Sequence, residues 1–142
     1  MHATAQGRTI AWGFAALLLA ANVAGYAFDL YAAFWWFDRV LHAATLFALT
    51  LWLALFVCPP VLRPGQPLLF ILLVASLGVA IGAWWEVAEW GFDQLAPGDV
   101  IKGKHDTVID IVMDTLGAVL AASLAPRFLV PGPAAARGPF RR

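Results

Sequence analysis

The sequence contains few charged residues, and this shortage excludes an ordinary soluble domain. Charged residues make up 13% of the 142-residue chain and hydrophobic residues make up 62%, whereas a typical soluble domain has about 25% charged residues. A soluble protein of this length could not bury so much apolar surface. The lipid bilayer is therefore expected to be the solvent for most of the chain.

Reactive side chains are also scarce, which narrows the chemistry. Cys58 is the single cysteine, so an intrachain disulfide is excluded, and its place beside two prolines indicates a small packing residue. The two serines, Ser76 and Ser123, lie away from the acidic residues, which argues against a serine hydrolase. The sequence lacks a Gly-Lys-Ser/Thr phosphate loop, which argues against nucleotide hydrolysis. No nucleic-acid partner is expected.

Four long apolar stretches predict an all-α fold, an integral membrane four-helix bundle. They cover about residues 10–28, 40–58, 68–92 and 107–130, and each approaches the roughly 20 residues that a helix needs to cross the hydrocarbon. Residues 1–130 are expected to form one transmembrane domain. Residues 131–142, rich in Pro, Gly, Ala and Arg, are expected to be a disordered cytoplasmic tail.

The first apolar stretch has a second interpretation. Arg8, the apolar run and the small residues near 21–25 are also typical of a cleaved signal peptide. The polar face of this stretch, described below, favours a retained helix.

The basic residues predict the orientation of the bundle. One side of the spans carries six arginines and no acid: Arg8, Arg63, Arg127, Arg137, Arg141 and Arg142. The opposite side carries all nine acidic residues with only Arg39, Lys102 and Lys104. Both termini are therefore expected to be cytoplasmic, and the acidic residues are expected at the outer face of the membrane.

Helical spacing gathers polar residues into a stripe on each span, because positions three or four apart are neighbours on a helix. The stripes hold, in chain order, Asn22, Tyr26 and Asp29; Asp38, His42 and Thr45; Glu86, Glu89 and Asp93; and Asp106, Asp110 and Asp114. All four stripes lie toward the acidic side, and the other halves of the helices are almost bare of charge.

Several of these residues have simpler interpretations. Asp106 is placed to cap the fourth helix, where a negative group suits the helix dipole. Asp38 and Arg39 are placed to form a local ion pair. Solvated interface charges explain the remaining shallow acids, Asp29, Asp93 and Asp99.

Five deeper residues predict a functional site, because ionisable groups inside a span are costly and usually mark one. They are His42, Glu86, Glu89, Asp110 and Asp114. Clustered carboxylates cannot all stay ionised without cations. Three sources of positive charge are open. A divalent metal could be bound by His42 with the four carboxylates as oxygen ligands, Arg39 or a lysine could lie nearby, or the carboxylates could hold protons at neutral pH. Histidine with carboxylates would suit zinc, manganese or iron. Supporting roles are predicted for Asp38, Arg39, Asp106, Asn22 and Tyr26.

Three segments carry a resemblance to a known family: FDRVLHAATLF (37–47), GAWWEVAEWGFD (82–93) and KGKHDTVIDIVMDTLGA (102–118). Together they resemble the YjdF-like family of bacterial inner-membrane proteins and are more distantly similar to VanZ-like proteins. Their shared pattern is a D-[KR]-x-x-H helix start, a glutamate-bearing helix, and a D-x-x-x-D-x-x-x-[DN]-x-x-G helix ending here at Gly117. The resemblance implies the inner membrane of a bacterium and the position of the site, but no reaction.

Three functions are compatible with the sequence. The leading hypothesis is a metal-dependent membrane hydrolase acting on a lipid or lipid-linked substrate, with a metal-activated water as nucleophile and Glu86 or Glu89 as general base. The second is a cation- or proton-coupled transporter, which the uncharged inner halves of the helices disfavour. The third is a non-catalytic assembly subunit, against which an unpaired Asp114 would count. Expected partners are membrane lipids, a lipid-linked substrate or cation, and further copies in a homo-oligomer.

Overall fold

A computed structural model describes residues 1–63, 65–96 and 100–131. Its helices are α1 (Ala5–Ala27), α2 (Leu30–Ala33), α3 (Phe37–Phe56), α4 (Pro67–Leu95) and α5 (Lys104–Leu124). Two short strands, β1 (His2–Ala3) and β2 (Leu129–Val130), flank them, and 3-10 turns cover Pro59–Val61 and Ala125–Phe128. Asp99 and the predicted tail beyond residue 131 lie outside the described residues.

Four helices of the described chain are long and apolar enough to cross a bilayer, which confirms the predicted membrane fold. They are α1, α3, α4 and α5 together with its 3-10 turn, with mean hydropathies of 1.6, 1.7, 2.3 and 1.8. Many of their apolar side chains point outward, and Leu17 and Leu19 of α1 are 64% and 69% exposed. Such a surface suits contact with lipid.

The helices do not begin and end where the apolar stretches do. Helix α1 starts five residues earlier than predicted, because the Thr4 hydroxyl accepts a hydrogen bond from the Gly7 N–H and caps a polar first turn. Helix α5 ends at Leu124, before Pro126, which has no N–H to continue the α-helical bonding. The prediction of a fourth helix up to residue 130 is therefore wrong for residues 129–130, which form β2.

Helix α5 packs against both α3 and α4, while α1 packs chiefly on α3. The buried face of α5 consists of small residues, with Ala118, Ala121 and Ala122 fully inaccessible. Gly78 of α4 lies at a close helix contact: a Cβ on it would clash with Thr50 of α3 and lie 2.6 Å from the Ala118 Cβ. Three helices thus approach each other closely along one line.

Larger side chains fill the core beside these contacts. Leu51 and Leu55 of α3 and Phe70 and Val74 of α4 are almost wholly buried. Cys58 is buried with them, and burial raises the pKa of its thiol, as expected of an inert packing residue.

The strands β1 and β2 pair with each other and so connect the start of α1 to the segment after α5; this strand pair is called the clasp below. They pair antiparallel, with His2 opposite Val130 and Ala3 opposite Leu129. Next to this clasp the Thr4 N–H donates to the Phe128 carbonyl at 2.8 Å, and Arg8 Nη1 donates to the Ala3 carbonyl at 2.7 Å. Both ends of the described chain therefore lie at one end of the bundle.

The two ends of the bundle differ in charge. One end, called the acidic end below, is where α1 and α4 finish and α3 and α5 begin, and it carries every acidic residue of the described chain. The other, called the basic end, holds the clasp with Arg8, Arg63 and Arg127. Which end faces the cytoplasm stays a prediction.

Candidate functional site

His42, one turn into α3, is at the centre of the predicted polar cluster. Its Nδ1 lies 3.1 Å from Asp114 Oδ1 of α5, within hydrogen-bond distance, and 3.8 Å from Glu86 Oε1 of α4. Its other nitrogen, Nε2, lies 3.8 Å from Asp38 Oδ1, one turn earlier on α3. The imidazole therefore faces different carboxylates through its two nitrogens.

Two glycines bring Asp114 to this histidine. A Cβ on Gly82 of α4 would lie 2.5 Å from Asp114 Oδ2, and a Cβ on Gly117 of α5 would overlap the Ala43 carbonyl of α3. Only glycine permits such close approach at these two positions. Helix α5 can therefore place a short aspartate side chain between α3 and α4, nearly three turns from its own start.

The cluster is buried and its hydrogen bonding is incomplete. His42, Glu86, Asp110 and Asp114 are 8%, 5%, 3% and 1% exposed. One oxygen of each carboxylate is buried without a hydrogen-bond partner among the described residues: Glu86 Oε1, Asp110 Oδ1 and Asp114 Oδ2. Burying an ionised oxygen without a partner is costly, so this cluster requires cations or bound protons.

Two overlapping sets of side chains have the composition of a metal site. Asp38, His42 and Asp110 form one set, and His42, Glu86 and Glu89 form the other. Within each set, the ligand atoms all lie within 4.8 Å of one another. Both sets combine one imidazole with two carboxylates, a donor set that zinc, manganese and iron accept.

The ion pair of Arg39 is with Asp106 and not with one of the buried carboxylates. Its Nη2 lies 3.7 Å from Asp106 Oδ1, its Nη1 donates to the Trp35 carbonyl at 2.6 Å, and its guanidinium lies over the Trp35 ring at 5.4 Å from the centroid. Asp106 Oδ2 also accepts the Lys102 N–H at 3.3 Å. The structure therefore places these two predicted supporting residues beside the site, tying the start of α5 to α3.

Asp93 has a structural partner. Its two carboxylate oxygens accept the backbone N–H groups of Val100 and Ile101, at 3.0 and 2.9 Å. It holds the segment that leads into α5 against the end of α4. Asp93 was predicted to be a solvated interface charge, and the structure gives it instead a structural role at the end of α4.

A cavity of about 570 Å³ opens beside His42. Residues of α1, α3 and α4 line it, together with Tyr31 of α2 and with Val100 and Lys102 before α5. Asp38, His42 and Glu89 line it, whereas Glu86, Asp110 and Asp114 are not among its described lining residues. The buried half of the cluster thus lies behind the half that a ligand can reach.

Glu89 and Glu86 differ in what they contact. Glu89 lines the cavity and its Oε1 accepts the indole N–H of Trp85 at 2.7 Å, which fixes the carboxylate. Glu86 is buried beside His42 and has an unpartnered oxygen. Sequence reasoning missed Trp85, although its position one helical turn before Glu89 could have indicated the contact.

A tyrosine that sequence reasoning missed completes the wall on the α1 side. Tyr31 of α2 donates its hydroxyl to Asn22 Oδ1 at 3.1 Å, and Asn22 in turn donates to the Leu18 carbonyl at 2.9 Å. Burial, together with the neighbouring Tyr26 and Asp38, raises the pKa of Tyr31 to about 12. Tyr26, predicted as the supporting residue, is 81% exposed and packs on the Tyr31 ring.

Residues 5–130 match the family described as "Predicted membrane protein (DUF2238)". The chain belongs to this family. The DUF2238 description places its members in a membrane, as the helices indicate, and names no reaction.

One relative of this DUF2238 chain is an "Uncharacterized protein" of Thermotoga maritima. It is 27% identical over 107 residues, which are 75% of this chain and 56% of the relative. The chain thus spans about half the length of the curated relative that it matches. No solved structure matches the chain. Nothing in these matches supports a link to VanZ-like proteins, and the YjdF-like name stays a prediction.

Proposed function

We propose that this protein is a membrane-embedded, metal-dependent hydrolase that cleaves a lipid or lipid-linked substrate in the cavity beside His42. The observation that carries the proposal is a buried imidazole with acidic neighbours on both sides, open on one side to a cavity. As for a YjdF-like protein, we place it in the inner membrane of a bacterium, with the acidic end outside.

Asp38, His42 and Asp110 are the proposed ligands of one divalent cation. With the Nδ1 proton donated to Asp114, the free lone pair of His42 is on Nε2, the nitrogen that faces Asp38. A carboxylate that holds a histidine in this way is the usual second contact of a metal ligand. Asp114, predicted from the sequence as a ligand, is instead proposed to position His42.

Glu89 is the proposed general base. It lines the cavity, and the Trp85 hydrogen bond to Oε1 leaves Oε2 to take a proton from water. The bound cation would supply Lewis-acid chemistry, polarising the substrate and lowering the pKa of water. Glu86 is buried behind His42, and it is not among the described residues that line the cavity. Both glutamates were predicted as catalytic, and Glu89 is preferred over Glu86 as the general base because it is accessible from the cavity.

Metal content tests the site first. Protein purified in a neutral sugar detergent and loaded separately with zinc, manganese or iron(II) is expected to hold one ion per chain by elemental analysis. His42→Ala should lose the ion. His105→Ala is the matched control, because His105 is also at the acidic end but is exposed and belongs to neither ligand set. If none of the three metals is retained by the unaltered protein, the metalloenzyme is ruled out.

Turnover tests the reaction. Radiolabelled bacterial lipid extract incubated with metal-loaded protein should release a water-soluble product, and Glu89→Gln should stop the release while retaining the metal. Removal of the metal with a chelator should abolish release reversibly. Release that persists in both His42→Ala and Glu89→Gln would contradict the assignment.

Proton-coupled transport is a second candidate, favoured by the unpartnered Asp114 Oδ2. This oxygen belongs to a carboxyl group that is 1% exposed, a suitable place for a transported proton. In proteoliposomes, Asp114→Asn would then abolish a proton flux that metal removal leaves unchanged.

The unpartnered Asp114 Oδ2 also counts against a third function, a purely structural role in an assembly subunit. A polar network that only stabilises helix packing should satisfy its members, and Glu86, Asp110 and Asp114 each keep a buried oxygen without a partner.

A further inference from the structure

The cavity has a charged half and an apolar half. Toward the acidic end its lining includes Asp29 and Glu89 with the aromatic rings of Tyr26, Tyr31 and Trp85. Toward the middle of the bundle the lining is Leu46, Leu49 and Ile81. Leu49 lies seven residues beyond His42 on α3, which is about 10 Å deeper at 1.5 Å per residue. Such a division fits a molecule with a polar head and a hydrocarbon chain.

The charged half is negative even when the proposed metal ion is bound. A divalent ion between Asp38 and Asp110 would balance those two carboxylates, which leaves Asp29 and Glu89 opposite a single lysine, Lys102. Lys102 and Asp29 are both exposed at the rim, where solvent and salt weaken their fields, whereas Glu89 is half-buried. The interior of the charged half therefore favours a positively charged group.

Aromatic faces are available beside these carboxylates. Tyr26 and Trp85 are 81% and 56% exposed, and the rings of Tyr26 and Tyr31 lie 5.0 Å apart with a tilt of 44°. Aromatic faces attract ammonium groups, and cages of this kind recognise quaternary ammonium ligands. The carboxylates and the aromatic rings thus both favour a positively charged ammonium group.

We propose that the cavity binds an amphiphile with a positively charged amine or quaternary ammonium head group, its hydrocarbon chain lying along Leu46, Leu49 and Ile81. This inference rests on the proposed function, because such an amphiphile is then the class of lipid that the hydrolase acts on. The group to be cleaved, between head and chain, would lie next to His42. The gap between α1 and α4 would admit the chain sideways from the bilayer.

Binding of matched amphiphiles tests this proposal without turnover. Native mass spectrometry of the full-length protein in dodecyl maltoside would compare tetradecyltrimethylammonium with tetradecyl phosphate at equal mole fractions. We expect one saturable adduct of the cationic amphiphile, with half-saturation about tenfold below that of the phosphate, the scale of one desolvated cation–π contact.

Five variants, two of them controls, locate the two halves of the cavity. Trp85→Ala and Asp29→Asn should each raise half-saturation for the cation about fivefold or more; asparagine tolerates the left-handed backbone of Asp29, at φ 54°, so the latter variant should fold. Trp84→Ala is the matched control, because Trp84 is exposed outside the cavity. Leu49→Trp should weaken the binding of both amphiphiles, whereas Leu120→Trp, on the outer surface of α5, should change the binding of neither.

Equal half-saturation for the cationic and anionic amphiphiles would overturn the inference, as would equal effects of Trp84→Ala and Trp85→Ala. The two proposals can fail separately. A metal-loaded protein that cleaves lipids but prefers the phosphate amphiphile overturns only the head-group class. A clear preference for the cation without metal or turnover overturns only the hydrolase.

Discussion

At the residue scale, the two nitrogens of His42 divide the cluster into two parts. Nδ1 faces the buried Asp114 and Glu86, and Nε2 faces Asp38 at the cavity. In the proposed function the carboxylates therefore have different tasks, although all are acids near one histidine. Asp114 would orient the ring through Nδ1, and Asp38 and Asp110 would hold the cation with His42.

This division predicts a graded response to substitution. Asp114→Asn should weaken metal binding about 10- to 100-fold without abolishing it, because it loosens the orientation of His42 but removes no proposed ligand. Asp110→Asn and Asp38→Asn, which remove ligands, should weaken it further. Metal titration followed by elemental analysis measures all three. If Asp114→Asn is the most damaging of the three, Asp114 is a ligand and the division is wrong.

Tyr31 predicts a spectroscopic signature at alkaline pH. Its folded-state pKa of about 12 exceeds the ordinary value of 10.0, so between these values the unfolded chain loses the proton first. The hydroxyl's contribution to stability should thus be complete below pH 10 and decline as the pH rises toward 12. Tyrosinate absorbs at 295 nm, and the part of this absorbance that is lost in Tyr31→Phe should appear only near pH 12. If the part lost in Tyr31→Phe appears instead around pH 10, the prediction is wrong.

The members of the polar cluster were largely predictable, but their contacts were not. Helical spacing placed His42, Glu86, Glu89, Asp110 and Asp114 on the polar stripes of their helices, because the period of an α-helix fixes which residues share a face. It could not show which face turns toward which neighbour. The orienting contact of Asp114, the exposure of Glu89 and the Arg39–Asp106 pair all depend on helix rotation. Tyr31 was missed because the connection after α1 contains a short helix that no long apolar run announces.

At the scale of helices, glycines set how closely α4 and α5 approach. Gly82 faces Asp114 and Gly78 faces Thr50 and Ala118, whereas Gly91, on the same helix, has nothing within 4 Å of the position of a Cβ. Small residues at helix contacts allow the van der Waals packing that stabilises helices in a membrane. The geometry of the cluster and the stability of the bundle thus depend on the same residues.

Alanine substitutions along α4 should separate these positions. Gly78→Ala and Gly82→Ala are expected to destabilise the bundle by about 1–3 kcal/mol through overpacking, seen as a lower Tm in detergent. Gly91→Ala should be neutral or raise Tm slightly, because alanine favours a helix by about 1 kcal/mol over glycine. Equal effects at Gly82 and Gly91 would show that the close approach is unimportant.

The helices themselves were the most predictable feature. Each of the four apolar stretches became a helix. The ends were less predictable, because capping by Thr4 and the break at Pro126 depend on local hydrogen bonds rather than on hydrophobicity. The pairing of β1 with β2 had no signal in strands of two residues each.

At the scale of the whole molecule, charge is separated along the bundle axis. The acidic end carries the site and the basic end carries arginines without any acid among the described residues. Positive residues favour the cytoplasmic side of a membrane. The cavity is therefore expected to open toward the outer leaflet.

Cysteine labelling in intact cells tests this orientation. In a Cys58→Ser background, Lys104→Cys at the acidic end should react with a membrane-impermeant maleimide, and Arg63→Cys at the basic end should react only after lysis. Both positions are exposed, so their reactivities are comparable. The reverse pattern would place the site in the cytoplasmic leaflet.

The pairing of β1 with β2 also orders events during synthesis. Ala3 precedes all four spanning helices in the chain, whereas its partner Leu129 emerges from the ribosome only after all four have been made. The clasp must therefore close after translation of the four helices, as a late contact between distant parts of the chain. Until then α1 is held mainly by α3, and a chain stalled before residue 129 should expose His2 and Ala3 to protease while its helices are already inserted.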